Sequence, residues 1–311
     1  MQALDRNVVE GSSNILSENF EGILFDFSAQ ERNMIEGIRF YKTLKNVPEM
    51  AKDVSQNKDG SVRAWVEDAC LHIAGNGKVV APENCEGLFS GYGKARSIYF
   101  FDCFDTTQVT NMSHMFSNCS SLVTLNLYEF DTSNVTDMSS MFEGCNSLGT
   151  IEIGKMHMSK FDTSKVTNMR SMFSGCSSLI AIDLSNFDTS KVTNMNSMFS
   201  GCKTIKNLDV WYFDTAQVLD MGSMFYGCEA LTTVSVCYFD TSKVTRMSKM
   251  FYWCDELFEW NGNHYTSEHI DIRKWDVSNV IAFNDFVKIK NTTDAKPKIK
   301  LYGKPWADYF R

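Results

Sequence analysis

Phe187 to Tyr212 reads FDTSKVTNMNSMFSGCKTIKNLDVWY, and copies of this pattern run through most of the chain. They begin at Phe104, Phe130, Phe161, Phe187, Phe213, Phe239 and Trp275, at intervals of 26, 31, 26, 26, 26 and 36 residues. The unit is therefore 26 residues long, and the two longer intervals carry insertions at Gly154 to Lys160 and Phe258 to Ser267. A period in this range is the mark of an architecture that grows by stacking, in which one unit cannot hide its apolar face but neighbouring copies can.

Inside the unit, Val192, Met195, Met198, Phe199 and Cys202 recur at steps of three, three, one and three, a spacing that predicts one face of a short helix. Thr193 stands where an N-cap hydroxyl is wanted, and Gly201 where a helix ends in the left-handed conformation. Ile205, Leu208 and Val210 then predict a short strand with alternate side chains inward. The expected fold is an α/β, right-handed, leucine-rich-repeat-like solenoid of 26-residue helix-strand units with a mixed N-terminal cap. Its repeated methionines and phenylalanines are expected to be core.

Outside the repeats, residues 1–60 are expected to be mainly helical. Ser28 with Glu31 makes a capping-box pattern, and Met34, Ile35, Ile38, Tyr41 and Leu44 form one stripe. Residues 61–103 read as cap and lead-in, with strands at Ser61 to Val66 and Cys70 to Ile73. Tandem repeats occupy 104–287, where Trp275 to Val287 is a degenerate copy with Phe283 and Phe286 in place of methionines. A lysine-rich tail, 288–311, ending KPWADYFR, closes the last edge.

A net charge of -8 argues against nucleic acid, whose phosphates require a basic footprint. No apolar run approaches the roughly 20 residues of a membrane-spanning helix. Asp5, Arg6, Glu10 and Glu18 interrupt the apolar core that a signal peptide would need. The first residues thus show no export signal.

The recurring FDTSxVTxMxxMFxGCxxL block, with the lead-in segments GSVRAWVED and KVVAPENCEGLFSG, resembles the BspA-like family of bacterial leucine-rich-repeat surface proteins over residues 62 to 287. That resemblance implies a cell-surface or secreted molecule concerned with adhesion and protein binding, and it brings no catalytic residues. A cytoplasmic interaction scaffold is the alternative.

Cys119, Cys145, Cys176, Cys202, Cys228 and Cys254 share one repeat position. They read as small buried hydrophobes, with paired disulfides or a redox role for Cys237 or Cys103 as the competing readings. No CxxC pair points to zinc. Asp105, Asp131, Asp162, Asp188, Asp214, Asp240 and Asp276 form a second ladder. It is expected to cap turns, against an alternative of calcium binding for which the glycine-rich spacing is lacking. No GxSxG, HExxH, P-loop or GxGxxG motif is present. The chain is expected to be no enzyme and to use no cofactor or metal.

If repeated positions serve stacking, the working residues should be those that vary. One outward strand column reads Asn126, Glu152, Asp183, Asp209, Ser235 and Asp271, the next contains Tyr128, Trp211 and Arg273, and Tyr212 and Tyr238 lie beside them. Aromatics supply large rigid contacts, and acids select a basic protein partner. The expected binding residues are Tyr128, Glu152, Asp183, Asp209, Trp211, Tyr212, Tyr238, Asp271 and Arg273. The two insertions could extend this surface at its rim.

Overall fold

In the computed structural model of the chain, the described residues are 15–17, 28–153, 160–260, 265–272, 274–288 and 299–302. The MxxMFxGC segment decides the architecture through the destinations of its amides. Met195, Ser197, Phe199 and Gly201 donate to carbonyls of the following repeat, at Asp220, Gly222, Met224 and Tyr226. Met198, Ser200 and Cys202 donate three residues back, to Met195, Ser197 and Phe199. An α-helix would instead bond each amide four residues back. The segment is a run of tight turns whose alternate amides bind the neighbouring copy. Each run contains two left-handed residues, Ser197 at φ 59° and Gly201 at φ 73° in this copy, which no helix interior contains.

The predicted helix-strand solenoid is therefore corrected. The one α-helix among the described residues is α1 (Ala29–Arg32), four residues long and outside every repeat, and the strands form small sheets of mixed sense. Three-residue turns return the chain to one side every third residue, so their apolar positions imitate a helical stripe. Neighbouring copies nevertheless lie in parallel register. Single bridges link Asn84, Asn111, Asp137, Asn168, Asn194, Asp220, Arg246 and Ala282 in succession.

The N-terminal part is built on β1 (Gly37–Tyr41), β2 (Lys52–Asp53), β3 (Val62–Glu67) and β4 (Cys70–Gly75). Farther on come β5 (Val79–Val80), β6 (Ser97–Tyr99) and β7 (Phe104–Asp105). One five-stranded sheet has the order β2-β3-β4-β1-β6, with β1 parallel to both β4 and β6. The β3–β4 hairpin turns through Asp68 and Ala69, both left-handed, as a two-residue hairpin requires. Here too the helical expectation gives way. The Ser28–Glu31 capping box forms, but the helix stops after Arg32, and the residues read as a stripe enter β1 with Ile38 and Phe40 buried. Met34, on the supposed stripe, is exposed.

The repeats contribute β8 (Thr124–Asn126) paired with β9 (Thr150–Glu152), and β10 (Asn207–Leu208) paired with β11 (Thr233–Val234). Farther on, β12 (Phe251–Tyr252) pairs with a later strand, β15 (Val287–Lys288). Between them in sequence lie β13 (Glu259–Trp260) and β14 (Tyr265–Asp271), which form a small sheet with β16 (Ile299–Tyr302). The C-terminal KPWADYFR segment and most of the Gly154 to Lys160 insertion lie outside the described residues, as do residues 261–264 of the second insertion.

One core runs the length of the repeats. Val192, Met195, Met198, Phe199 and Cys202 are all fully buried, as are their counterparts in neighbouring copies. Phe89, Phe116, Phe142, Phe173, Phe199, Phe225 and Phe251 form a continuous pile, with successive centroids 5.4 to 6.0 Å apart and planes within 14°. Each ladder cysteine donates its thiol to the carbonyl of the pile phenylalanine one copy back, as Cys202 does to Phe173 at 3.2 Å. Burial pushes the Cys119, Cys176 and Cys228 thiols up to about 12. No helix among the described residues is long and apolar enough to cross a membrane.

Candidate functional site

Three polar ladders fix the turns before any residue is left for a partner. In the first, each aspartate of the FDTS motif accepts the amide two residues on, as Asp188 does from Ser190 at 2.9 Å. The following threonine is buried and donates to the next copy, as Thr189 does to the carbonyl of Asp214 at 2.9 Å. Side-chain and backbone donation from the serine holds Asp188 and Asp240 below the usual carboxylate range. The aspartate column is thus engaged in turn geometry of the kind Asp favours. Among the described residues, no group of three or more His, Cys, Asp or Glu could hold a metal ion.

The second ladder is the bridge column, where Asn111, Asp137, Asn168, Asn194 and Asp220 accept amides in the same way. The third falls on the predicted binding column. Asn126 accepts from Tyr128 at 2.9 Å, Asp183 from Ser185 at 3.0 Å, and Asp209 from Trp211 at 3.0 Å. Asp183 also accepts the Ser185 hydroxyl, and these donations lower its pKa. Glu152 is held by the Asn126 side-chain amide at 2.8 Å. Glu152, Asp183 and Asp209 are exposed, and each is fastened by one oxygen.

Backbone pairing sets two stretches of the column in register. Val123 donates to Arg96, Gly149 to Val123 and Ile180 to Gly149, which aligns Tyr99, Asn126, Glu152 and Asp183. β10 and β11 set Asn207 and Leu208 opposite Thr233 and Val234, which brings Asp209 beside Ser235 of the next copy. Trp211, Tyr212 and Tyr238 are 48%, 62% and 53% exposed, a large fraction for aromatic side chains. The Trp211 and Tyr238 rings meet with centroids 4.2 Å apart, and Lys274 lies 5.2 Å above the Tyr238 ring. Tyr128, by contrast, is only partly exposed and lies several copies away from this cluster. Asp271 ends β14, where only its backbone is described, and Arg273 lies outside the described residues.

The face also extends onto residues that sequence reasoning passed over. Across the N-terminal sheet, register sets Trp65, His72, Arg39 and Tyr99 in one row. Trp65 and His72 stack at 5.0 Å, Arg39 lies 5.9 Å from the Tyr99 centroid, and Tyr99 stacks on the exposed Phe101 at 5.2 Å. Desolvation lowers the pKa of His72, whose Nδ1 lies 2.9 Å from the Tyr41 hydroxyl. The signal for this row was present in the alternation of Ile38, Arg39, Phe40 and Tyr41.

No match was found among curated proteins or solved structures. A family model described as "Mycoplasma protein of unknown function, DUF285" matches residues 83–179, 149–265 and 239–296, so that its overlapping copies cover more than half of the chain. The tandem repeat and its extent identify the chain as a member of the DUF285 family.

Proposed function

We propose that the chain is a non-catalytic protein-binding module that presents its outward strand face to a protein of basic character, without cofactor or metal. The observation that carries this reading is the Trp211–Tyr238–Lys274 cluster. Two aromatic rings about half exposed meet across neighbouring copies, on a backbone fixed by the Asp209 turn. Rigid exposed Trp and Tyr are the side chains that most often dominate protein interfaces. Asp183, Asp209 and Glu152 line the same column and would favour a basic partner through long-range attraction.

A place on the cell surface or among secreted proteins fits the likeness of the repeat to BspA-like surface proteins and membership of a Mycoplasma family. A second reading, an intracellular scaffold, is favoured by the ladder cysteines, which form hydrogen bonds to carbonyls and no disulfides. Photo-crosslinking tests the face itself. A benzoylphenylalanine at Tyr212 should capture a protein partner, whereas the same group at exposed Thr136, outside the strand column, should not. Capture from Thr136 alone would contradict the reading.

A further inference from the structure

Position 253 breaks a rule the other repeats keep. The residue that closes this turn is left-handed in each of the five preceding copies: Asn118, Gly144, Gly175, Gly201 and Gly227 occupy it, with φ between 59° and 75°. Glycine and asparagine tolerate that region, whereas a bulky side chain there is a strained outlier that persists only where its surroundings enforce it. The sixth copy places Trp253 there, at φ 62°. Its amide still bonds onward to Lys288, so the backbone is the one the glycines adopt.

The Trp253 ring folds back against Tyr252 and Tyr226, at 4.9 and 5.4 Å, and those two tyrosines stack at 5.3 Å with planes 13° apart. Lys249 and Lys288, both exposed, lie 5.8 and 5.4 Å from the Tyr252 centroid. Among the described residues neither lysine is in an ion pair. Earlier copies carry Ser117, Glu143, Ser174 and Ser200 in the tyrosine column, and Ser171, Ser197 and Ser223 in the Lys249 column. Neither column carries Phe, Tyr, Trp or Lys before Tyr226, and the last copies of a protein of net charge -8 gather three such aromatics and two lysines.

We propose that Tyr226, Tyr252, Trp253, Lys249 and Lys288 form a second interaction site, on the turn side and separate from the strand face, for an acidic polypeptide segment bearing aromatic or large apolar side chains. The lysines supply the complementary charge, and the stacked rings supply the rigid contact surface. A bilayer is a poorer occupant. The rings are half-buried against one another, whereas interfacial anchoring sinks an apolar face about 5–10 Å into the lipid.

The test uses the full chain and a labelled peptide of Glu-Glu-Phe repeats, followed by fluorescence polarisation, with Glu-Glu-Ser and Lys-Lys-Phe peptides as comparisons. The first peptide should bind about tenfold or more tighter than either comparison, a difference easily resolved. Trp253→Gly and Lys249→Glu should each remove that preference, and Trp211→Ala should not. Because glycine is the residue the backbone favours, Trp253→Gly should also unfold at the same temperature as the parent or higher. Equal or absent binding of the three peptides would overturn the proposal. So would retained preference in both variants, or binding to phosphatidylglycerol vesicles in place of the peptide. A Trp253→Gly protein that melts well below the parent while Lys249→Glu keeps full preference would show that the ring serves stability alone.

Discussion

The Oδ1 atom of Asp209 accepts the backbone N–H of Trp211 at 3.0 Å, so the acid that would select a basic partner also fixes the backbone carrying the neighbouring aromatic ring. Charge and turn geometry can be separated by substitution. Asn keeps the acceptor and loses the charge, whereas Ala loses both. Changing Asp183 and Asp209 together to Asn should slow association with a basic partner and flatten its salt dependence, leaving unfolding nearly unchanged. Asp209→Ala should in addition cost about 1 kcal/mol, the usual net value of one hydrogen bond. Stopped-flow association and denaturant unfolding on the same proteins check both. Equal on-rates for the Asn double variant and the parent would remove the steering role.

Met198 is fully buried in the core that runs along the repeats. Met198→Ala should destabilise the protein by about 2–5 kcal/mol, as truncation of a buried Met commonly does. A loss under about half a kcal/mol in urea unfolding would contradict its place in the core, since surface substitutions fall in that range.

The cysteine ladder gives a prediction in pH. Burial raises the folded thiols of Cys119, Cys176 and Cys228 from an ordinary 9.0 to about 12. A raised folded pKa means that the stabilising contribution is complete below the unfolded value and declines as pH rises between the two. Stability should therefore fall as pH climbs from about 9 toward 12, and less so in a Cys202→Ala, Cys228→Ala variant. Thiol reagents should label the ladder only on unfolding. Rapid labelling of Cys176 or Cys202 in the native protein would contradict this.

The carboxylates move the other way. Asp183, Asp188 and Asp240 are held below their ordinary 3.8 by serine donors. Their contribution is present above that value and is lost as pH falls through the lowered folded values. Acid unfolding monitored by near-ultraviolet circular dichroism should set in below about pH 4. It should shift toward neutral pH in a Ser190→Ala, Ser242→Ala variant, which removes the hydroxyl donors. An unchanged midpoint would show that these bonds contribute nothing.

How much of this was legible in the sequence follows from what each residue signals. Val192, Met195, Met198, Phe199 and Cys202 announced burial and register, because stacking repeats the same environment. They did not announce backbone conformation, since a run of three-residue turns buries the same positions as a helix. Gly201 was legible as left-handed, but Ser197 at φ 59° was not, because serine carries no such mark. The exposure of Trp211 and Tyr238 was legible from their departure from the repeated pattern, and their rings meet at the surface. The Trp65–His72–Arg39–Tyr99 row was hidden because Ile38 and Tyr41 fitted a helical stripe, and only the burial of Phe40 reveals the strand alternation.

The central claim is that binding resides on the face that carries the outward column and is anchored by Trp211, in the turn that follows β10. Its most direct test is the affinity of Trp211→Ala for the partner captured through position 212, measured alongside its unfolding curve. The account predicts a loss of more than about 1 kcal/mol in binding, the scale of an interface anchor, with unfolding unchanged. Parental affinity in Trp211→Ala, together with loss of binding when the insertions at Gly154 to Lys160 or Phe258 to Ser267 are removed, would contradict it and place the working surface on the rim.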